Sequence, residues 1–350
     1  MKKVLLGMSG GVDSSVAAIL LKKQGYNVIG LTMNLYEKND ANFGNDAKEL
    51  CKKLGIEHYT CDYTKEFDEK VISNFVCQYK NCKTPNPCIE CNKYLKFGAM
   101  YEMAKKLGCD YIATGHYAIT EYDEKYKKVV LKKSKSLKKD QSYVLYNINP
   151  EVVEKTIFPL GKYESKEEIR DIARKNGFEV ANKPDSEDIC FIPDNNYVRF
   201  LEEEKNFISK QGNIVNLDGK ILGKHSGLYK HTIGQRKGLG ISNPVPLYVI
   251  GYNIEKNELI VGEEDKLYSN EVILENFNNL LGIEIDGLKI KAKIRYSSKE
   301  ASAVIHKELI NEKEQIKIIF DERQRAITPG QSLVAYIDDV VVGGGIISNL

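Results

Sequence analysis

The chain lacks an excess of charge of either sign: across 350 residues, 51 Lys and Arg stand against 49 Asp and Glu, a formal net charge of +2. Charge as a whole therefore announces no nucleic-acid partner. Proline is scarce at 9 residues, and 42% hydrophobic with 29% charged residues excludes a disordered or collagen-like chain. No window offers the ~20 apolar residues that a membrane span needs. The apolar stretch Val4-Leu5-Leu6 is too short for a signal-peptide core and no small-residue cleavage site follows it. The expectation is a cytoplasmic protein whose eight Cys are thiols, catalytic or metal-binding before they are disulfides. At ~100–200 residues per domain, the length suggests two or three domains.

The first half alternates short apolar runs with amphipathic stretches. Lys3–Gly7, Val28–Met33, His58–Cys61 and Tyr111–Thr114 read as buried parallel strands. Ser14–Lys23, Ala47–Leu54, Glu66–Gln78 and Ile89–Leu107 carry the apolar period of helices. Such alternation implies right-handed crossovers and an α/β, doubly wound parallel sheet, with its ligand at the carboxyl ends of the strands. Residues 121–137 form a lysine-rich hairpin, after which Gln141–Asn147 and Lys166–Asn176 look helical. Near Asn206 the composition shifts toward Gly, Asn and β-branched residues. The chain divides into an N-terminal α/β domain (1–205), a small central domain (206–270) and a C-terminal β-barrel or sandwich (271–350). The last rests on the runs Leu288–Tyr296, Ala303–His306, Ile316–Phe320, Leu333–Ile337 and Val340–Ile347.

The first expected strand runs into Met8-Ser9-Gly10-Gly11-Val12-Asp13-Ser14 and then a helix. Paired glycines let several backbone N–H groups converge beside the positive end of the helix dipole, which is a phosphate nest. No Gly-Lys-Ser/Thr follows, so this is not a Walker A loop. The S-G-G-x-D-S form resembles the pyrophosphate-releasing loop of the adenine-nucleotide hydrolase-like superfamily, whose members cleave ATP between the α and β phosphates and attach AMP to a substrate oxygen. A plain glycine turn with a Ser/Asp cap would have the same composition.

Cys88 and Cys91 lie in Thr84-Pro85-Asn86-Pro87-Cys88-Ile89-Glu90-Cys91-Asn92 at the start of an expected helix, where the dipole favours a thiolate. A lone C-x-x-C leaves half a zinc site, a redox pair, iron–sulfur ligands and two inert thiols open. Zinc is the weakest of these, because no second ligand pair appears. Cys190, in Asp185-Ser186-Glu187-Asp188-Ile189-Cys190-Phe191-Ile192, could on its own be a small core residue. Cys51, Cys61, Cys77, Cys82 and Cys109 are expected to be structural.

Taken together, these stretches resemble the bacterial and mitochondrial tRNA-specific 2-thiouridylases. The likeness runs through Gly7–Ser15, Asn86–Lys93, A-T-G-H-Y at Ala113–Tyr117, K-D-Q-S-Y at Lys139–Tyr143, Asp185–Ile192, H-T-I-G-Q-R-K-G-L-G at His231–Gly240, I-R-Y at Ile294–Tyr296 and T-P-G-Q-S at Thr328–Ser332. It implies ATP with Mg²⁺, adenylation of the C2 oxygen of the wobble uridine, and sulfur attack at C2. It implies a persulfide on Cys190, and on Cys91 the nucleophile that resolves it through a transient disulfide. Nucleotide contacts would come from Gly7, Met8, Ser9, Gly10, Gly11, Val12, Asp13, Ser14, Met33 and Gly115. Asp13 could equally be a helix cap, and Met33 a core residue. tRNA contacts would come from Asn86, Pro87, Cys88, His116, Lys139, Asp140, Gln141, Arg295, Tyr296 and Gln331, although His116 also reads as an ordinary strand-end histidine. The sulfur donor would be a cysteine desulfurase or a sulfur-relay protein.

Many relatives have Asp where this chain has Cys88. Cys88, Cys91 and Cys190 could instead hold a [4Fe–4S] cluster that delivers sulfide. Two further alternatives stand beside the thiolase: another adenylating enzyme such as a tRNA lysidine ligase, and a non-catalytic iron–sulfur or redox-responsive RNA-binding protein. Local basic stretches offer an RNA footprint despite the neutral total. They are Lys125–Lys139 and the alternating run in which Lys289, Lys291, Lys293 and Arg295 would share one face.

Overall fold

The computed structural model describes residues 1–36, 44–178, 189–310 and 313–348. Packing divides the chain into two units: residues 1–72, 88–187 and 338–343 form the first, and 73–87, 188–337 and 344–350 the second. Among the described residues, no helix is long and apolar enough to cross a membrane.

In the first unit, β1 (Lys3–Gly7), α1 (Val12–Lys23), β2 (Asn27–Asn34), α2 (Asn45–Leu54), β3 (Glu57–Asp62) and β4 (Tyr111–Ala113) alternate as expected. A hairpin of β5 (Ala118–Asp123) and β6 (Lys128–Lys133) follows, then the two-residue β7 (Thr156–Ile157). The sheet order is β3-β2-β1-β4-β7 and every pairing is parallel. Val4 and Leu6 of β1 share a core with Val16, Ala17 and Leu21 of α1, while Leu5 points to the other face and is equally buried. A strand covered on both sides has no need of polar alternation, which is why Lys3–Gly7 reads as a solid apolar run. Chain order reverses between β1 and β4, so the loops after these two strands flank the crevice where such sheets bind ligands.

Two expected helices are irregular. Asp68–Ile72 and Asn92–Ala99 are wound more widely than an α-helix. At Gly98 an added Cβ would stand 2.9 Å from the Lys93 carbonyl oxygen, five residues back, so the wide turn needs a residue without a side chain. The helix expected over Gln141–Asn147 is a single 3₁₀ turn, Ser142–Leu145. The Asp140 carboxylate accepts from Ser142 Oγ at 2.7 Å and from Ser134 N at 2.9 Å, a local alternative to helical bonding.

The second unit holds a four-stranded sheet of β8 (Gly212–Val215), β9 (Ile221–His225), β10 (Tyr248–Asn253) and β11 (Glu258–Gly262) in the order β10-β11-β8-β9. Ile214, Val249, Leu259 and Val261 form its core with Leu239 from the His231–Gly240 stretch. Six further strands form the C-terminal barrel: β12 (Tyr268–Asn278), β13 (Lys289–Lys293), β14 (Ala301–Ile310), β15 (Lys313–Arg325), β16 (Ser332–Ile337) and β17 (Val340–Ile347). Leu274 of β12 stands opposite Ile316 of β15 and Ile347 of β17, which closes the ring. Ile316, Ile318 and Phe320 alternate inward along β15, as a filled barrel requires. β13 ends at Lys293, short of the expected Tyr296. Arg295 lies in the following turn, where Ser298 N donates to its carbonyl at 3.1 Å, so it is not part of the strand's cationic face.

Candidate functional site

Gly7 ends β1 and Met8 N still donates to Leu31 O of β2 at 2.8 Å, so the chain leaves the sheet only at Ser9. Gly10 has φ +75, a left-handed turn that only glycine makes without strain, and an added Cβ there would lie 3.0 Å from Asp46 Cβ. Gly11 is the N-cap of α1 and uses no side chain to cap it. Ser14 closes the loop: its Oγ accepts from Ser9 N at 3.3 Å and donates to Gly11 O at 3.2 Å, while Ser15 Oγ donates to the same carbonyl at 2.8 Å. Val12 is buried at the start of α1 and locks the helix onto the sheet. The result is a glycine turn at the amino end of a twelve-residue helix, where the helix dipole favours an anion.

The back of the nest is braced by β2 and β3. Thr32 Oγ1 donates to Met8 O at 3.0 Å and lies 2.8 Å from His58 Nε2. The threonine proton is committed to Met8, so His58 donates from Nε2. Burial first, then the Lys48 ammonium, pushes the His58 pKa down, in keeping with a neutral ring. Met33 is half-buried near the carboxyl end of β2, opposite Cys61.

Gly115, after β4, meets the nest from the other side. A Cβ at Gly115 would lie 3.0 Å from Asp13 C, Asp13 Cβ and Ser14 N alike. Its contribution is close backbone approach. Asp13 does not cap α1. Its Oδ1 accepts from Tyr117 OH at 2.8 Å and its Oδ2 pairs with Lys166 Nζ at 2.6 Å. Tyr117 is in turn clasped by Gln141, whose Oε1 accepts from Tyr117 N at 2.9 Å and whose own N–H donates to Tyr117 O at 2.8 Å. Tyr117 stands in a motif read from the sequence, but its partners are visible only in the fold. Lys166 had no local signal at all, because its partner lies 153 residues away.

His116 is 9% exposed and sits among Phe97 and Phe158, with Thr114 Oγ1 2.7 Å from its Nδ1. Burial, with Lys96 nearby, pushes its pKa well below the usual value. It is thus a neutral core histidine in this structure. Lys139, Asp140 and Gln141 are half-buried in the loop that holds Tyr117. Within the lysine-rich hairpin, Lys132 is 3.1 Å from both Glu121 and Asp123, so it is not an available cation.

Pro87–Cys91 is a short helix preceded by half-buried Asn86; Pro87 is buried and Cys88 exposed. Cys91 is 7% exposed. The next residue, Asn92, is buried and donates from Nδ2 to Val144 O at 2.9 Å. All eight cysteines are thiols. Burial pushes Cys51 and Cys82 up to about 11 and raises Cys61 and Cys109, which keeps these four protonated and inert.

In the second unit Cys190 is exposed, in a turn closed by Ile192 N donating to Ile189 O at 2.8 Å. Its neighbour Phe191 is buried, with ring centroids 5.4 Å from Phe75 and 5.2 Å from Phe200. The stretch Asp185–Asp188 lies outside the described residues. Gln331 Nε2 donates to Thr84 O at 2.8 Å, and Thr84 N donates to Pro329 O at 2.8 Å. Tyr296 is 43% exposed with the Lys293 ammonium 5.6 Å from its ring centroid, and Arg295 is exposed beside it.

Family models match three consecutive stretches. They are described as a tRNA methyl transferase HUP domain over residues 2–194, a tRNA methyl transferase PRC-barrel domain over 199–263 and an aminomethyltransferase beta-barrel domain over 269–347. The tRNA-specific 2-thiouridylase MnmA of Clostridioides difficile is 48% identical over 99% of this chain and 98% of its own length. That of Halothermothrix orenii is 48% identical over 99% of both. Among solved structures, a 4-thiouridine synthetase–RNA complex with bound ATP is similar over 59% of this chain and 53% of that one, at 18% identity and a TM-score of 0.37. With nearly half of all positions identical from end to end, the chain belongs to the tRNA-specific 2-thiouridylase family.

Proposed function

We propose that this protein is an ATP-dependent tRNA-uridine 2-sulfurtransferase acting in the cytoplasm on the wobble uridine. The observation that carries the reading is the Ser9–Ser14 nest at the reversal between β1 and β4, in a chain whose full-length relatives are named tRNA-specific 2-thiouridylases. The proposed parts are an ATP-binding catalytic domain over 1–205, a central domain over 206–270 and a barrel over 271–350.

A urea-like C2 oxygen is a poor leaving group, so it must first be activated. The O2–Pα bond forms as the bond from Pα to the bridging oxygen breaks; pyrophosphate leaves with that electron pair, and the N3 proton is lost. Backbone N–H groups of Gly10 to Ser14 hold the phosphates, and Gly115 keeps the opposite wall close. Mg²⁺, arriving with the nucleotide, would supply charge neutralisation, with Asp13 the carboxylate positioned at the nest.

Sulfur then enters as the terminal atom of a Cys190 persulfide, loaded by a cysteine desulfurase or a sulfur-relay protein. It attacks C2 and AMP departs. The Cys91 thiolate attacks Cys190 Sγ, releasing the 2-thiouridine sulfur and forming a Cys91–Cys190 disulfide that a cellular dithiol reopens. The exposure of Cys190 suits loading by another protein, and the burial of Cys91 suits a thiol that reacts once per cycle. Among the described residues no three His, Cys, Asp or Glu side chains are placed to hold a metal ion, and nothing in the structure favours the cluster route.

For tRNA, Asn86–Cys88, Lys139–Gln141, Arg295–Tyr296, His116 and Gln331 are the proposed contact region. His116, Asp140, Gln141 and Gln331 would act chiefly by holding its loops in shape. The test is incubation with ATP, Mg²⁺, a persulfide donor and unmodified tRNA, read by retarded migration in a mercury gel and by the mass change of oxygen-to-sulfur exchange. A methyl adduct, or no product from the wild-type protein with either persulfide or anaerobic sulfide, would overturn the reading.

A further inference from the structure

A triphosphate entering the nest meets backbone N–H groups and a helix terminus, but the loop itself carries no lysine. Pyrophosphate leaving from such a site gains negative charge, and a fixed cation is the usual means of stabilising it. The fold supplies one from far along the chain. Lys166 Nζ lies 2.6 Å from Asp13 Oδ2, and the two side chains are 15% and 33% exposed. Asp13 is the second residue of α1, so this ammonium stands at the helix end where the phosphates belong.

The placement of Lys166 is built, not incidental. It is the first residue of the helix Lys166–Lys175, whose start is fixed by a reciprocal cap: Ser165 Oγ accepts from Glu168 N and the Glu168 carboxylate accepts from Ser165 N. Ile169 and Ala173 of that helix share a core with Val16, Ala17 and Ile19 of α1. The backbone of Lys166 is therefore fixed relative to the nest, while its four-carbon stem can pivot. The Tyr117 ring centroid stands 5.7 Å from the ammonium.

We propose that Lys166 is the phosphate-binding cation of this loop: it rests on Asp13 in the absence of nucleotide and moves to the β- and γ-phosphates of ATP, stabilising pyrophosphate as it departs. A phosphate chain carries more charge than one carboxylate and outcompetes it for the ammonium, while Asp13 keeps its bond from Tyr117. The inference rests on the adenylating function proposed above.

The test compares wild type with Lys166→Met, Lys166→Gln and Lys166→Arg. Binding of ATP and of AMP is measured by calorimetry, and thiolation as kcat and KM for ATP. AMP lacks the phosphates Lys166 would hold. The expected result is an ATP affinity lower by about tenfold with AMP affinity unchanged, and kcat/KM for ATP lower by about 100-fold in both neutral variants. Lys166→Arg should recover most of both, and the melting temperature without nucleotide should stay close to wild type in every variant. Equal losses for AMP and ATP, or wild-type ATP affinity and turnover in the neutral variants, would show a merely structural ion pair and overturn the proposal. Failure of the wild type to thiolate tRNA would count against the function; the ATP-against-AMP comparison would still decide the role of Lys166.

Discussion

Gln331 and Thr84 are 247 residues apart in sequence and joined by a 2.8 Å hydrogen bond, side-chain amide to backbone carbonyl. Gly330, at φ +87, fits beneath the same segment: a Cβ there would lie 2.8 Å from Lys83 Cβ and Thr84 N. The Thr328–Ser332 motif therefore clamps the stretch that leads to Asn86 and Pro87. Gln331→Ala should cost about 1 kcal/mol for the lost bond. Gly330→Ala should cost more, on the order of 1–3 kcal/mol, because it combines a strained φ with a clash. Urea denaturation midpoints check both. The KM for tRNA should rise in each variant while ATP affinity stays constant.

Gly115→Ala should act on ATP. Its new methyl would stand 3.0 Å from Asp13 and Ser14 backbone atoms and push the nest open. We expect at least about tenfold weaker ATP binding by calorimetry. Gly251→Ala is the control, because only the Ile260 Cδ1 atom at 3.9 Å comes near that position, and it should bind ATP as the wild type does.

The cysteines should separate by reagent as well as by mutation. Near pH 8, iodoacetamide should modify exposed Cys77, Cys88 and Cys190 first, and spare Cys51 and Cys82, whose thiols burial holds up at about 11. Peptide mass spectrometry reads the order. Cys190→Ser and Cys91→Ser should abolish 2-thiouridine while ATP still binds, and Cys51→Ser should retain activity. Iron-dependent activity lost on Cys88→Ala would favour the cluster route instead.

Acid should destabilise the fold through His231. Burial first, then His225 and Lys230, push its pKa down to about 4, and its Nδ1 is buried without a hydrogen-bond partner among the described residues. The unfolded chain takes up this proton near pH 6.5 and the folded chain only near 4, so stability is lost as pH falls through that window. His116 and His225 are shifted in the same direction. His231→Gln should flatten the dependence of the urea midpoint on pH between about 6.5 and 4.

Salt should distinguish available cations from committed ones. Lys291 is exposed on β13, whereas Lys132 is held by Glu121 and Asp123. In tRNA binding titrations Lys291→Ala should reduce the slope of log K against log salt by about 1, and Lys132→Ala should leave it unchanged.

What the sequence could show followed from how local each signal was. β1 and β17 have the bounds that their apolar runs suggest, and the glycine loop was legible because strand, turn and helix start lie within a dozen residues. β7 is two residues long, too short for any period, and exists only because β4 offers it an edge. Gly98 marks a wide helical turn that no propensity encodes. Arg295 kept the alternation of burial after the strand had ended, so periodicity overran the element. Lys166 is one of 51 basic residues, and its partner is visible only once α1 and its own helix share a core.

The aromatic seat of Phe191 bears on how sulfur is handed over. Consecutive Cα atoms are about 3.8 Å apart, so a thiol one residue from an anchored ring sweeps only the arc of its own short side chain. The turn closed between Ile189 and Ile192 shortens that arc further. On the proposed persulfide route Cys190 would be a docking post, not a swinging arm. A desulfurase or relay protein would then have to bring its persulfide on a projecting segment of its own, and delivery would be limited by how well that segment fits the surface around the turn.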